Sequence, residues 1–325
     1  MITAGQLGLG TFADGAGEAF PGLVCGDRVL DLRRRFGSGT TVLGLLEDWD
    51  GVLPVLWELS AAGDTRALEL GSLRPLPPVM ARQVLCAGAN YYRHVREIVV
   101  STLRLAGDAR SEAELREEAD RQVRRAAEGE PYLFAGLPGA LAGANDDIVL
   151  WGPGRCHDWE LELAVVIGRP ARNVSQALAM SHVAGYTIAN DISTRDVMNR
   201  PGFPMTDFLM SKCRPSFLPT GPYIVPRELV ADPRALRITL SVNGEVMQDE
   251  SVDDIIHGVE ALVAYASSVV ALWPGDLILT GSPAGNAGQH GDRWLVPGDL
   301  IEGRITGLGV QRNRCVAPAQ APAAR

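Results

Sequence analysis

Three carboxylates in two short apolar segments are the side chains of this sequence best suited to chemistry. Glu160 and Glu162 stand in HDWELELAVVIG over 157–168, and Asp191 stands in GYTIANDISTRD over 185–196. Both segments read as buried strands, and a buried carboxylate is costly unless a positive group compensates it. Residues two apart on a strand point to one face, so Glu160 and Glu162 share a side. With Asp191 they form an all-oxygen set suited to a hard divalent cation, Mg²⁺ or Mn²⁺. The competing reading is a pair of surface carboxylates on an edge strand plus a turn Asp. The near-continuous apolar run Leu161, Leu163, Val165, Val166 argues against it.

A second group lies in NYYRHVRE over 90–97. His94 and Glu97 are three apart and would share a helix face. A carboxylate beside an imidazole orients the ring and raises its basicity, as a general base requires. On an exposed helix the same spacing makes only a solvated pair. Lys212 and Arg195 are candidates for binding a carboxylate or stabilising an enolate oxygen, against the ordinary alternative of a surface cation. Ser282 sits in GSPAG over 281–285. The N–H groups and hydroxyl of that turn could hold substrate oxygens, or simply close a tight turn. His157, His182, His257 and His290 have no mutual metal spacing and read as structural, His290 alone following the glycine turn.

The elements that must position these groups fit within 325 residues, enough for one large domain and a small one. An apolar fraction of 46% and a charged fraction of 21% are ordinary for a globular protein. The formal charge of −9 argues against a nucleic-acid partner and against an anionic membrane surface. Five scattered cysteines without a Cys-x-x-Cys spacing suit reduced thiols and give no zinc pattern. No apolar run approaches the roughly 20 residues of a membrane helix, and the N-terminus lacks a basic-then-apolar leader pattern. The expectation is a cytoplasmic protein with no membrane or nucleic-acid partner.

Residues 1–78 read as a small N-terminal β-rich domain with short apolar runs, closed by Pro75, Pro77 and Pro78. Its Gly8-Leu9-Gly10 lacks the third glycine of a dinucleotide fingerprint. A catalytic domain is expected over 79–316, opening with a strand at 83–87 and a helix from near Asn90 through Val99. Ser111 with Glu114 makes a capping box. It precedes a charged amphipathic helix over 112–127 with Leu115, Ala119 and Val123 on one stripe. Residues 97–130 are therefore expected to form a helical lid over the site. Farther on, Val242-Asn243-Gly244-Glu245 signals a hairpin. A helix is expected over 253–271 with Ile256, Val259, Leu262, Val263 and Ala266 inward, and the Ala/Pro-rich 317–325 reads as a disordered tail.

Together these segments resemble the fumarylacetoacetate hydrolase family over about Gln83 to Cys315. The matching elements are Asn-Tyr-x-x-His-x-x-Glu at 90–97, Glu-x-Glu before Ala-Val-Val-Ile-Gly at 160–168, and Asn-Asp-x-Ser-x-Arg-Asp at 190–196. Lys212 followed by Gly221-Pro222, the Gly281-to-Gly285 turn, and the closing Glu302-Gly303 and Gly307-Leu308-Gly309 complete the set. The resemblance implies an α+β, mainly β fold: a mixed β-sandwich roll, paired as a homodimer. It implies a Mg²⁺ or Mn²⁺ held by Glu160, Glu162 and Asp191, and a lid helix carrying His94 and Glu97. Tyr91, in the same element, is expected at the substrate with Arg195 and Ser282. The chain departs from the family's pattern in its longer 97–130 stretch and in Ala135-Gly136, Met198 and Ser282. The first three bear on substrate size and polarity; Ser282 keeps the hydroxyl of the family's threonine.

The activity so implied is metal-dependent hydrolysis of a C–C bond in a β-diketo acid of the acylpyruvate or fumarylacetoacetate kind. His94, oriented by Glu97, would take a proton from water. Lys212 would stabilise oxyanion charge while Arg195 and Ser282 position the oxo-acid end. The same set could instead decarboxylate a 2-oxo acid such as oxaloacetate, or isomerise or hydrate a 2-oxo-alkenoate. A non-catalytic binding protein on this fold is the reading of a different class. It would be expected to have lost a metal ligand, the His–Glu pair or the lysine, and none is lost.

Overall fold

The computed structural model describes residues 7–203 and 205–319. Short apolar runs build β1 (Leu7–Ala13), β2 (Ala19–Cys25) and β3 (Arg28–Asp31). Three helices follow: α1 (Arg33–Phe36), α2 (Val42–Glu47, capped by Thr41) and α3 (Trp49–Ala62). With β4 (Leu68–Glu69) and β5 (Arg74–Pro75) the strands form one sheet, ordered β4-β3-β2-β1-β5. The sequence reading placed no helix here. Gly51 and Pro54 obscure the pattern of α3, which is held by burial of Trp49, Val52 and Leu56. This sheet packs directly on the rest of the molecule. Leu9 and Ile224 exchange backbone hydrogen bonds of 2.8 and 2.7 Å, and Leu7, Leu9 and Leu23 share an apolar cluster with Ala164, Val166 and Leu279. Gly8 permits the contact, since a Cβ there would lie 2.5 Å from the Tyr223 ring.

The larger part opens with β6 (Val84–Ala87) and the helices α4 (Tyr92–Leu105) and α5 (Glu112–Glu128). Next come β7 (Leu133–Gly136), β8 (Leu141–Gly143), β9 (Ile148–Val149) and β10 (His157–Asp158). Then β11 (Leu161–Ile167), α6 (Gln176–Ala179) and β12 (Val183–Asn190) lead to β13 (Ser193–Thr194), α7 (Phe208–Lys212), β14 (Leu218–Thr220) and β15 (Val225–Pro226). The chain finishes with β16 (Arg237–Val242), β17 (Glu245–Ser251), α8 (Val259–Val269), β18 (Leu277–Leu279), β19 (Leu300–Ile305) and β20 (Gly309–Val316).

Two mixed sheets make the expected sandwich roll of an α+β fold. One runs β7-β6-β18-β11-β12-β14-β8 with β15 beside β12, the other β17-β16-β19-β20-β9. Strand β11 is buried on both faces, which explains its near-continuous apolar sequence. Leu161, Leu163, Val165 and Ile167 share a core with Ile238, Leu240, Ile301 and Ile305 of the facing sheet. Ala164 and Val166 point the other way, toward the N-terminal sheet. By the same alternation Glu162 falls on the Ala164 face.

The capping box forms: Ser111 Oγ accepts from the Glu114 N–H, and the Glu114 carboxylate accepts from the Ser111 N–H. Leu115, Ala119 and Val123 are the buried residues of α5, as their spacing predicts. Asn243 and Gly244 both take left-handed φ, +53° and +84°, closing the β16–β17 hairpin. The expected helix over 253–271 is shorter. Ile256 donates to the Asn90 carbonyl at 2.8 Å, and Ile255 bridges to Tyr91, so this backbone is spent on pairing and the helix waits for Gly258 as its N-cap. Of the expected tail, 317–319 are exposed without regular structure and 320–325 lie outside the described residues. Among the described residues no helix is long and apolar enough to cross a membrane.

Candidate active site

The β11–β12 register sets the site. Leu161 pairs with Asn190, so Glu160 and Asp191 leave adjoining strand ends together. The Asp191 N–H donates to the Glu160 carbonyl at 2.9 Å, and the Asn190 side-chain oxygen accepts from the Glu160 N–H at 2.9 Å. One carboxylate oxygen from each of Glu160, Glu162 and Asp191 lies within 4.8 Å of the others, and all three residues are buried. Glu162 Oε2 accepts from the Gly281 N–H at 2.6 Å. Gly281 has φ +94°, and a Cβ there would press on Asn90 at 3.0 Å, so glycine is needed to bring this N–H to the carboxylate.

Two cations hold the acids in place. Lys212 Nζ donates to Glu160 Oε2 at 2.8 Å, to Asp191 Oδ2 at 2.7 Å and to Ser193 Oγ at 2.7 Å. An ammonium has three donors, and these three bonds use all of them. In this structure Lys212 serves as the neutralising partner of two carboxylates. Arg195 Nε donates to Asp158 Oδ2 at 2.8 Å and its Nη2 to Glu160 Oε1 at 2.6 Å. This leaves Nη1 without a protein acceptor among the described residues, available to a ligand. Asp158 received no role in the sequence reading. Its two-residue spacing from Glu160 was the available cue.

The charges decide what these residues fit. Four buried carboxylates, Asp158, Glu160, Glu162 and Asp191, meet two cations, Lys212 and Arg195. Counted formally, the acids outnumber the cations by two, the charge that a divalent cation would balance. Burial drives the Glu162 carboxyl well above the ordinary carboxylate range, with Asp191 and Glu160 adding to the push. Burial also opposes ionisation of Glu160, but Lys212 and Arg195 outweigh it and hold that carboxyl at about 2. Glu162 Oε1 and Asp191 Oδ1 accept no hydrogen bond among the described residues, and their partner oxygens are fixed by Gly281 and Lys212. A buried, oxygen-only, over-negative group with free oxygens suits a hard divalent ion.

Helix α4 brings His94 toward this cluster. Burial depresses its imidazole to about 4, Glu160 opposing the fall and Arg195 and Lys212 adding to it. Its Nδ1 is buried without a protein partner. At neutral pH the ring is therefore a neutral base. One turn later burial raises Glu97 to about 7, with Arg93 opposing. The two side chains share a face, but no hydrogen bond joins them, so the expected dyad is not formed as a contact. Glu97 has its Oε2 buried without a partner among the described residues. With Arg93, Arg96, Ser101, Arg116 and Gln289 it lines a cleft of about 410 Å³ between α4, α5 and the 288–289 loop.

Tyr91 does not reach the open side. It is fully buried with its hydroxyl 3.4 Å from Thr280 Oγ1, a support beneath the site where a substrate contact was expected. Its neighbour Asn90 donates to the carbonyls of Thr280 at 2.9 Å and His257 at 3.0 Å, tying α4's entry to the glycine turn. Ser282 is buried in that turn, and its Oγ accepts from Gln248 Nε2 at 3.1 Å. Gln248 also accepts from the Leu161 N–H at 3.2 Å, clamping the turn to β11. It comes from a hairpin of the facing sheet, and nothing local in the sequence marks it. His157 meets Thr194 Oγ1 and His290 the Met247 carbonyl.

A family profile described as fumarylacetoacetate (FAA) hydrolase C-terminal matches residues 83–316. The chain belongs to the fumarylacetoacetate hydrolase family. The matched stretch contains every residue of the site described above. Among curated fumarylacetoacetate hydrolase family relatives, a Bos taurus protein named oxaloacetate tautomerase FAHD2A, mitochondrial, is 34% identical over 279 residues, covering 85% of this chain and 80% of that protein. The solved fumarylacetoacetate hydrolase of Exiguobacterium antarcticum has a TM-score of 0.75 at 25% identity, covering 96% of this chain and 100% of the other. The 2-hydroxyhepta-2,4-diene-1,7-dioate isomerase of Mycobacterium marinum has a TM-score of 0.68 at 28% identity, covering 97% and 100%. A tautomerase, a hydrolase and an isomerase thus share the fold, so membership marks an enzyme superfamily without fixing the reaction.

Proposed function

We propose that this protein is a divalent-metal-dependent enzyme of small 2-oxo acids that works through the enolate of its substrate. Keto–enol interconversion of an oxaloacetate-like acid is its leading reaction. One observation carries the reading: three buried carboxylates whose oxygens converge within 4.8 Å, with Glu162 Oε1 and Asp191 Oδ1 accepting no hydrogen bond among the described residues, and a buried His94 Nδ1 that has no partner there either.

A Mg²⁺ or Mn²⁺ held by Glu160, Glu162 and Asp191 supplies Lewis acidity toward a carbonyl oxygen. His94 takes the proton from the carbon next to that carbonyl and gives it to the oxygen, so the interconversion consumes no co-reactant. Arg195 Nη1 binds the substrate carboxylate. Lys212 favours the ionised form of Glu160 and Asp191. The name of the bovine relative, a tautomerase of oxaloacetate, supports this order of preference.

A second reading is C–C hydrolysis of an acylpyruvate-like β-diketo acid. It is favoured by Glu97, a second acid–base group raised to about 7 and lining the cleft one turn from His94, where it could activate water. The test follows three reactions with Mg²⁺, with Mn²⁺ and with EDTA: enol–keto interconversion of oxaloacetate, pyruvate release from oxaloacetate, and acylpyruvate cleavage. Metal-dependent interconversion should dominate and fall about 100-fold or more in His94→Ala. Acylpyruvate cleavage as the fastest reaction, lost in Glu97→Gln, would establish the second reading instead. No metal-dependent turnover in any of the three would remove both.

A further inference from the structure

Asp158 is the buried acid that the proposed chemistry leaves without a task. Only 2% exposed, it heads the strand pair β10–β13, in which it lies opposite Ser193, two residues before Arg195. Its Oδ1 accepts from the Trp159 N–H at 2.9 Å and the Ala287 N–H at 2.8 Å. Its Oδ2 accepts from Arg195 Nε at 2.8 Å. The neighbouring backbone is tied the same way: Asn286 Nδ2 donates to the Trp159 carbonyl at 2.6 Å, and Trp159 Nε1 to the Gly285 carbonyl at 3.0 Å.

Asp158 and Glu160 thus take one edge of the Arg195 guanidinium, Nε and Nη2, from two positions on the same side of the chain. A fork held along one edge presents its other edge in a fixed direction. The Arg195 side chain is 26% exposed against 2% for Asp158. Nη1 is left without a protein acceptor among the described residues, while the carboxylate that holds the fork is sealed. We propose that Asp158 is a positioning residue: it fixes Arg195 against Glu160 and couples the guanidinium to the 285–287 turn, so that Nη1 stands ready for the carboxylate of the substrate. The inference rests on the metal-dependent 2-oxo acid reading and assigns the residue that aims its carboxylate-binding arginine.

The sign of one measurement separates aiming from simple charge. Oxalate, a dianion, serves as the probe on Mn²⁺-loaded protein, titrated calorimetrically. Asp158→Asn removes a negative charge, so electrostatics alone would tighten oxalate. Loss of aim should weaken it, by about 10- to 100-fold on the scale of outer-shell partners. Arg195→Gln should weaken it comparably, and the double variant should be no weaker than Arg195→Gln by more than about threefold, because one effect acts through the other. Unchanged or tighter oxalate binding in Asp158→Asn, or losses that multiply in the double variant, overturns the proposal. Should Asp158→Asn not fold, Asp158→Glu keeps the charge but displaces the fork by a methylene; oxalate affinity equal to wild type there overturns the proposal equally. A wild-type protein that binds no Mn²⁺ without oxalate defeats the metal reading first, and this inference with it.

Discussion

Lys212 Nζ lies 2.7 Å from Asp191 Oδ2, at the centre of three donated hydrogen bonds that use every proton it has. The lysine is thus a built-in counter-charge that offsets the cost of burying two carboxylates. Removing one partner of such a buried group is costly because the others are left uncompensated, typically by about 3–5 kcal/mol. Lys212→Met should lose about that much stability in EDTA and recover part of it on adding Mg²⁺. Urea unfolding under both conditions measures it, and equal loss with and without Mg²⁺ would contradict the charge argument.

Glu162→Gln should behave oppositely. The wild-type carboxyl is pushed up first by burial and then by Asp191 and Glu160. A neutral amide relieves that repulsion and still offers an oxygen to the Gly281 N–H. In EDTA the variant should melt no lower than wild type. With metal it should lose the rise that wild type shows, about 2.7 kcal/mol when the ion is at 100 times its dissociation constant. Thermal melts of both proteins, each with and without Mn²⁺, test the pair of outcomes together.

The parts of this site that could be read in the sequence are those governed by local period. Glu160 and Glu162 share a side because strands alternate, and the Ser111–Glu114 box starts α5 through bonds three residues long. The parts that could not be read depend on pairing across distance. Gln248 reaches Ser282 from the opposite sheet, and Arg195 reaches Asp158 across β10–β13. Lys212 was visible as a cation, but only the fold shows all its donors committed. The same holds for His94 and Glu97: spacing put them on one face, but no hydrogen bond joins them, and His94 Nδ1 and Glu97 Oε2 are both buried without a partner among the described residues.

Their pH dependences run in opposite senses. Glu97 is raised from 4.5 to about 7, so between those values the folded protein holds a proton that the unfolded chain releases. Its contribution to stability therefore falls as pH rises through that window. His94 is lowered from 6.5 to about 4, so there the unfolded chain binds the extra proton and stability falls as pH drops. Glu97→Gln should gain stability relative to wild type on going from pH 5 to pH 8, and His94→Gln should gain on going from pH 7 to pH 4. Chemical denaturation across pH 4–8 measures both. A wild-type curve parallel to both variants would show that neither group is perturbed as its surroundings require.

The last prediction separates the α4–α5 helix pair from the carboxylate cluster. Leu115 is fully buried at the start of α5, on the stripe that α5 turns toward α4, and Arg96 and Asp120 join the two helices at 2.9 Å. Leu115→Ala leaves a cavity at that seam, with an expected cost of about 2–5 kcal/mol. The carboxylates stand on β11 and the end of β12, where none of their bonds involves α5. Loosened packing should therefore reach His94 through α4 and leave the cation site as it was. The expected outcome is a fall in kcat/KM of about tenfold or more, faster proteolysis within 106–130, and a Mn²⁺ affinity within about twofold of wild type. A matching loss of Mn²⁺ affinity would mean that α4 and α5 help to shape the carboxylate cluster itself, which no hydrogen bond between them and those carboxylates now suggests.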